Sequence, residues 1–238
     1  MKLDLLAIAA HPDDAELTCG GTLALAARQG YAVGILDLVK GESGTRGSAE
    51  LRAEEAERAA AALGVAVRAN AGLVDAHLHN TDENRRRVVT LIRRFRPRTV
   101  ILPFPVGRHP DHRIASELAR DACYLAGLAK YDAPGKAHRP HKVLYALAYR
   151  EDPVKPTFVV DVSATMAAKM KAVRAYRSQF DGARAAGEIF PTGQHLYELI
   201  ETHAAHYGSL IRTRFGEPFF THETVRVDDV MTLEVQSM

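Results

Sequence analysis

Two short stretches hold residue types that do chemistry together: His11-Pro12-Asp13-Asp14 and, far along the chain, His109-Pro110-Asp111-His112. Two imidazoles and one carboxylate drawn from both make a three-ligand metal set. Such a set leaves coordination open for water, the mark of a catalytic rather than a structural site. The spare residues also have roles. Asp13 and Asp14 are adjacent and project in different directions, so one can bind metal while the other accepts a proton from water. His109 and Asp111 are two apart, and a carboxylate partner would hold that imidazole in one tautomer and favour its protonated form. Alone, the first stretch reads as a helix-capping turn and the second as a loop. The pairing makes the chemical reading.

The elements that position them follow from the pattern of apolar residues. Leu3–Ala9 reads as a buried strand, followed by a helix from Asp14 to a stop at Gly30 and a strand over Tyr31–Leu38. Gly41–Gly47 is a glycine-rich loop. Ser48 caps a helix over Ala49–Leu63 that Gly64 ends. A strand over Val65–Ala69, a Thr81-capped helix over Asp82–Phe95 and a strand over Thr99–Leu102 come next. The Pro103–Pro110 loop leads to a helix over Asp111–Leu128. Lys142–Tyr149 and Phe158–Val162 read as strands, and Ala164–Gln179 and Leu196–Arg214 as helices. Alternating strands and helices predict an α/β fold, a Rossmann-like doubly wound, mainly parallel sheet with helices on both faces. Both motifs then fall at carboxyl ends of strands, where such sheets place ligands. No G-x-G-x-x-G occupies the first turn, which argues against a dinucleotide. Gly20-Gly21 lies too deep in the helix to replace it.

Composition bounds the rest. The 238 residues suit a single domain spanning 1–238, and no composition shift marks a boundary. The charge balance of 31 − 29 = +2 is too weak to argue for nucleic acid or an anionic membrane. Hydrophobic content of 47% and charged content of 25% exclude a mainly disordered chain. Two cysteines rule out a disulfide-rich scaffold or a four-thiolate zinc site. With no targeting pattern and no apolar run near ~20 residues, the expectation is a cytoplasmic protein.

Other candidates are weaker. Asp75, His77 and His79 alternate, His203 and His206 share a helix face, and His138 and His141 sit in a loop. None offers a full ligand set, and surface or partner-bonded histidines explain them. Cys19 reads as a buried thiol. Arg52, Glu55 and Arg58 fit a solvated helix face, although Arg52 is early enough in its helix to point back toward the site.

The two motifs together resemble the LmbE-like, or PIG-L-like, family of zinc-dependent N-acetylglucosamine deacetylases. Gly41-Glu42, the Arg52 helix and Gly72-Leu73-Val74-Asp75 fit its pattern over nearly the whole chain. Val159-Val160-Asp161-Val162-Ser163, Arg177-Ser178-Gln179-Phe180, Tyr207-Gly208-Ser209-Leu210-Ile211 and Glu217-Pro218-Phe219 look like the bacillithiol biosynthesis subgroup. That subgroup removes acetyl from N-acetylglucosaminyl-malate. The resemblance implies Zn2+ on His11, Asp14 and His112, with Fe2+ or another divalent metal as alternatives. It implies Asp13 as general base and His109, oriented by Asp111, as charged partner in the transition state or general acid. It places Arg52, Asp75 and Glu42 near a small-molecule amino-sugar substrate. It implies a homo-oligomer, a hexamer built through the C-terminal half being one form. One departure stands out: some relatives have a Tyr two residues before the equivalent of His109, where this chain has Gly107. The rival readings are a related amidase or deacetylase on another sugar or thiol conjugate, a non-haem iron oxygenase, and a non-catalytic Rossmann-like binding module.

Overall fold

The structure, a computed structural model, describes residues 2–148, 154–181 and 196–235. In chain order the elements are β1 (Leu5–Ala9), α1 (Asp14–Arg28), β2 (Val33–Val39), α2 (Ala49–Leu63), β3 (Val67–Leu73), α3 (Asp82–Phe95), β4 (Thr99–Pro103) and α4 (Pro110–Ala126). Then come β5 (Lys142–Ala146), β6 (Phe158–Asp161), α5 (Met166–Val173), α6 (Arg177–Phe180), α7 (Leu196–Leu210) and β7 (Gly216–Phe220). One sheet joins these strands in the order β3-β2-β1-β4-β5-β7-β6. β1 to β5 pair in parallel, while β7 runs antiparallel between β5 and β6.

Strands buried on both faces carry near-continuous apolar runs, because helices cover each side. Along β1, Leu6 and Ile8 pack with α3 and α4, whereas Leu5, Ala7 and Ala9 face α1, α2 and α5. Ser48 Oγ accepts the Leu51 N–H at the start of α2, and Gly64 ends that helix at φ 72°. Thr81 caps α3 in the same way through Asn84 N. No described helix is long and apolar enough to cross a membrane.

The expected doubly wound α/β architecture holds, and several boundaries differ. β3 starts at Val67 rather than Val65, because Val65 N–H still closes the end of α2 on Ala60. β5 ends at Ala146: Leu147 and Ala148, expected to continue it, are not strand, and Tyr149 lies outside the described residues. The helix expected over Ala164–Gln179 is two, α5 and α6. Tyr176 turns inward between them, fully buried, and its hydroxyl donates to Glu16. The last helix stops at Leu210 rather than Arg214, where Arg212 takes a φ of 60°. β7 was not among the expected strands, and its Pro218 has no N–H for a ladder. Its carbonyl accepts the Leu147 N–H instead.

α1 is broken at Cys19, whose φ, ψ of −138°, 17° are not helical. Glu217 of β7 fills the break. Its carboxylate accepts Gly21 N–H at 2.9 Å and Thr22 N–H at 2.7 Å, and Lys169 of α5 neutralises it at 2.6 Å. A side chain at Gly21 would press on Val162, so the glycine permits this close approach.

Candidate active site

β1 and β4 are neighbours in register, Leu5 opposite Thr99 and Ala7 opposite Ile101. They flank the point where strand order reverses, so the loops that leave them meet. His11 follows β1 directly, and His109 to His112 open α4. Pro110 suits the first helical position, where its missing N–H goes unused. The three imidazoles converge: His109 stacks on His112 at 4.7 Å between centroids, and His11 lies 4.9 Å from His109 and 5.5 Å from His112.

Asp14 lies between two of these rings. Its Oδ2 is 3.3 Å from His11 Nδ1 and its Oδ1 is 3.2 Å from His112 Nε2. Ligand atoms in a tetrahedral zinc shell lie roughly 3.3 Å apart, given metal–ligand distances near 2.0–2.1 Å. Donor type and spacing of His11, Asp14 and His112 thus fit a divalent metal. A second group, His11, His109 and Asp111, also gathers its ligand atoms within 4.8 Å of one another. The two share His11.

Asp13 stands beside this cluster in a backbone conformation that L-residues avoid, φ 121°. Arg52 holds it there. Nη2 donates to Asp13 Oδ2 at 2.7 Å, Nε to Pro12 O at 3.2 Å and Nη1 to Gly41 O at 3.4 Å. Gly41 has φ 75°, and a Cβ there would collide with the guanidinium.

Burial and charge pull these groups in opposite directions. Burial raises the Asp13 carboxyl, which Arg52 partly offsets, to about 6. Asp14 is buried too, yet the imidazoles of His112 and His11 hold it well below the usual carboxylate range. Burial lowers His11, but the hydrogen bond and charge of Asp14, with Asp13 and Asp75 beyond, raise it to about 9. Burial also opposes His112, and Asp14 again raises it. His109 moves down, through burial first and then the neighbouring His112 and His11.

The expected link between Asp111 and His109 takes another form. His109 is the N-cap of α4, and its Nδ1 accepts the backbone N–H of Asp111 at 3.2 Å. The Asp111 carboxylate faces elsewhere, 3.4 Å from His11 Nε2 and accepting Ala76 N–H at 3.0 Å. Nδ1 must keep its lone pair for that bond, so His109 donates only through Nε2. A second proton, as in the charged form expected from sequence, would break the N-cap bond.

The residues expected near a sugar separate. Asp75, Arg52 and Asp13 line a cavity of about 650 Å³ together with the three histidines. Arg52, however, is spent on Asp13 and two carbonyls. Glu42 does not line the cavity; it is exposed and accepts the N–H groups of Lys40 and Asp75. Sequence reasoning missed Ser43, Phe104, Gln179 and Phe180 as lining residues. The break before α6 brings the last two to the wall, and no local pattern signals it. Glu55 fixes that wall by accepting Ser178 N–H and Oγ–H at 2.8 and 2.6 Å, so it is no solvated residue.

The remaining histidines form no further metal-ligand group among the described residues. His138 Nε2 bonds Pro97 O at 2.7 Å, and His203 packs edge-on against Tyr207. Cys19 is buried, and burial pushes its thiol far up.

Comparison with known proteins adds independent findings. The family profile described as PIG-L, GlcNAc-PI de-N-acetylase, matches residues 6–123. A diacetylchitobiose deacetylase of Thermococcus kodakarensis is 33% identical over 229 residues, covering 90% of this chain and 80% of that protein. Among solved structures, the conserved protein TT1542 of Thermus thermophilus is 39% identical with a TM-score of 0.86, over 94% of this chain and 97% of that one. The N,N'-diacetylchitobiose deacetylase of Pyrococcus horikoshii is 28% identical with a TM-score of 0.76, over 90% and 82%.

Proposed function

The chain belongs to the PIG-L family of GlcNAc-type deacetylases, and from that premise we propose that it hydrolyses N-acetylglucosaminyl-malate to glucosaminyl-malate and acetate. The amide-hydrolase activity is supported by the family description and by the relatives named as deacetylases. The malate conjugate rests on the second-half motifs, chiefly Val159–Ser163 and Arg177–Phe180, of which Gln179 and Phe180 line the cavity. One observation carries the reaction type: a carboxylate, Asp13, stands free of the His11, Asp14 and His112 set yet beside it, held by Arg52.

Zinc is the metal we assign to that set. Bound there, it would polarise the acetyl carbonyl and lower the pKa of a water to about 7. The chain's own residues do the rest. Asp13 Oδ2 is taken by Arg52, and no hydrogen bond engages Oδ1 among the described residues. Oδ1 accepts the proton of the attacking water. His109, its Nδ1 occupied, donates from Nε2 to the oxyanion that forms. The C–N bond then breaks as Asp13 returns its proton to the amine.

A second reading, diacetylchitobiose as substrate, is favoured by the match to the Thermococcus kodakarensis enzyme over 90% of this chain. The test measures free-amine release from N-acetylglucosaminyl-malate, diacetylchitobiose and plain N-acetylglucosamine, with and without chelator. Chelator-sensitive turnover that strongly favours the malate conjugate supports the proposal. Preference for the disaccharide replaces it with the second reading. We also take the protein as a cytoplasmic homo-oligomer. Supporting assembly, Val230 and Met231 of the C-terminal segment are 73% and 86% exposed.

A further inference from the structure

We propose that Asp75 and Asp111 form a carboxylate pair that orients His11 for metal binding. His11 Nε2 lies 3.1 Å from Asp75 Oδ1 and 3.4 Å from Asp111 Oδ2. Two carboxylate oxygens beside one ring nitrogen require a hydrogen on it, because each oxygen can only accept. Nε2 therefore carries the hydrogen. In the neutral ring the lone pair then sits on Nδ1, the atom that faces Asp14 at 3.3 Å. A metal-binding histidine whose other N–H is given to a carboxylate is fixed in tautomer and direction, and its ligand nitrogen becomes more basic.

The pair is itself fixed. One backbone N–H, that of Ala76, points between the two carboxylates, 2.9 Å from Asp75 Oδ1 and 3.0 Å from Asp111 Oδ2. Ala76 takes a φ of 59° to do so, an unusual conformation for alanine. Ser43 N–H donates to the remaining oxygen, Asp75 Oδ2, at 2.8 Å. Both carboxylates are buried, Asp75 5% and Asp111 2% exposed. Asp75 thus has both oxygens committed inside the protein, which does not suit a sugar contact. The same geometry explains the second group of potential ligands: Asp111 meets His11 on the side away from Asp14.

This inference rests on the assignment of His11, Asp14 and His112 as metal ligands. The experiment compares full-length wild type with Asp75→Asn, Asp111→Asn and the double variant. Zinc and cobalt affinities come from competition with a chromophoric chelator, and circular dichroism confirms folding. Each single variant should bind metal on the order of 10–100-fold more weakly. The visible absorption of the cobalt form should shift, and saturating zinc should restore kcat with KM near the wild-type value. Asp75→Glu, which keeps the charge, should recover part of the affinity. Unchanged metal affinity overturns the inference, and a raised KM alongside it would make Asp75 a substrate contact. Should Asp75→Asn fail to fold, Asp111→Asn carries the same test. Wild type that binds neither metal would overturn the metal assignment, and this inference with it. Wild type that binds while both variants bind equally well overturns this inference alone.

Discussion

Arg52 Nη2 meets Asp13 Oδ2 at 2.7 Å, and both side chains are largely withdrawn from water, at 10% and 9% exposure. The pair does two jobs. It neutralises a buried carboxylate, and it holds a residue whose φ of 121° costs of order 1–3 kcal/mol. Removing one partner of such a pair leaves an uncompensated buried charge.

Arg52→Met should therefore lower unfolding free energy by about 3–5 kcal/mol. Arg52→Lys should lose less, since one ammonium can reach Asp13 but cannot also bond Pro12 and Gly41 in a planar fork. Urea denaturation at neutral pH measures both. Equal stability of all three proteins would show that the pair is not holding Asp13.

Asp13→Asn should keep its metal and lose roughly 10²–10⁴-fold in kcat, the usual worth of a positioned base. Metal content by atomic emission, read beside turnover, separates this from ligand loss. A metal-free Asp13→Asn protein would place Asp13 among the ligands.

His109 offers a cleaner distinction. His109→Ala should lower kcat about 10²–10³-fold, as expected for one lost oxyanion donor. His109→Gln retains an N–H donor without a charge, so it should be clearly faster than His109→Ala. If both variants are equally slow, the imidazolium expected from sequence is the working form and the N-cap bond at Nδ1 must break in turnover.

Stripping the metal should abolish turnover, and zinc should restore it. Bound metal should also stabilise the fold, by about 4.1 kcal/mol at a free concentration 1,000 times Kd. Thermal melting with and without chelator reads this directly, and coincident melting curves would contradict a metal held by His11, Asp14 and His112.

His203 predicts a pH effect remote from the site. Burial, then the Lys169 ammonium and His206, lower its pKa from 6.5 to about 4. Below pH 6.5 the unfolded chain takes up the proton that the folded protein refuses, so stability falls as pH drops from about 6.5 toward 4. Asp37 acts oppositely. Burial, opposed by Arg68, raises it to about 6, so its share of stability falls as pH rises from about 4 to 6. The test is thus the difference between wild type and His203→Gln across pH 4.5–7.5. The variant should lose less stability on acidification; parallel curves would refute the assignment.

What the sequence disclosed was what local chemistry decides. α2 and α3 start and end as expected, because Ser48, Thr81 and Gly64 act within one helical turn. The meeting of His11 with His112 was legible too, since both follow buried strands and α/β connections place such loops together. Asp111 was not legible in the same way. Its spacing from His109 suggested a pair, but its carboxylate goes to Ala76 and His11, which only the tertiary fold brings near. β7 hid for a related reason: Pro218 looks like a breaker until its antiparallel neighbours are known.

Glu217 ties the order of events in synthesis to the chemistry. Every residue assigned to metal or base lies within the first 112 positions. The helix that bears Asp14 nevertheless keeps two open N–H groups at its break until a carboxylate 195 and 196 residues away arrives. A growing chain that has already exposed all its ligands still lacks this cap while β7 remains inside the ribosome. The break in this helix is thus capped late, by a strand that contributes no residue to the lining of the cavity.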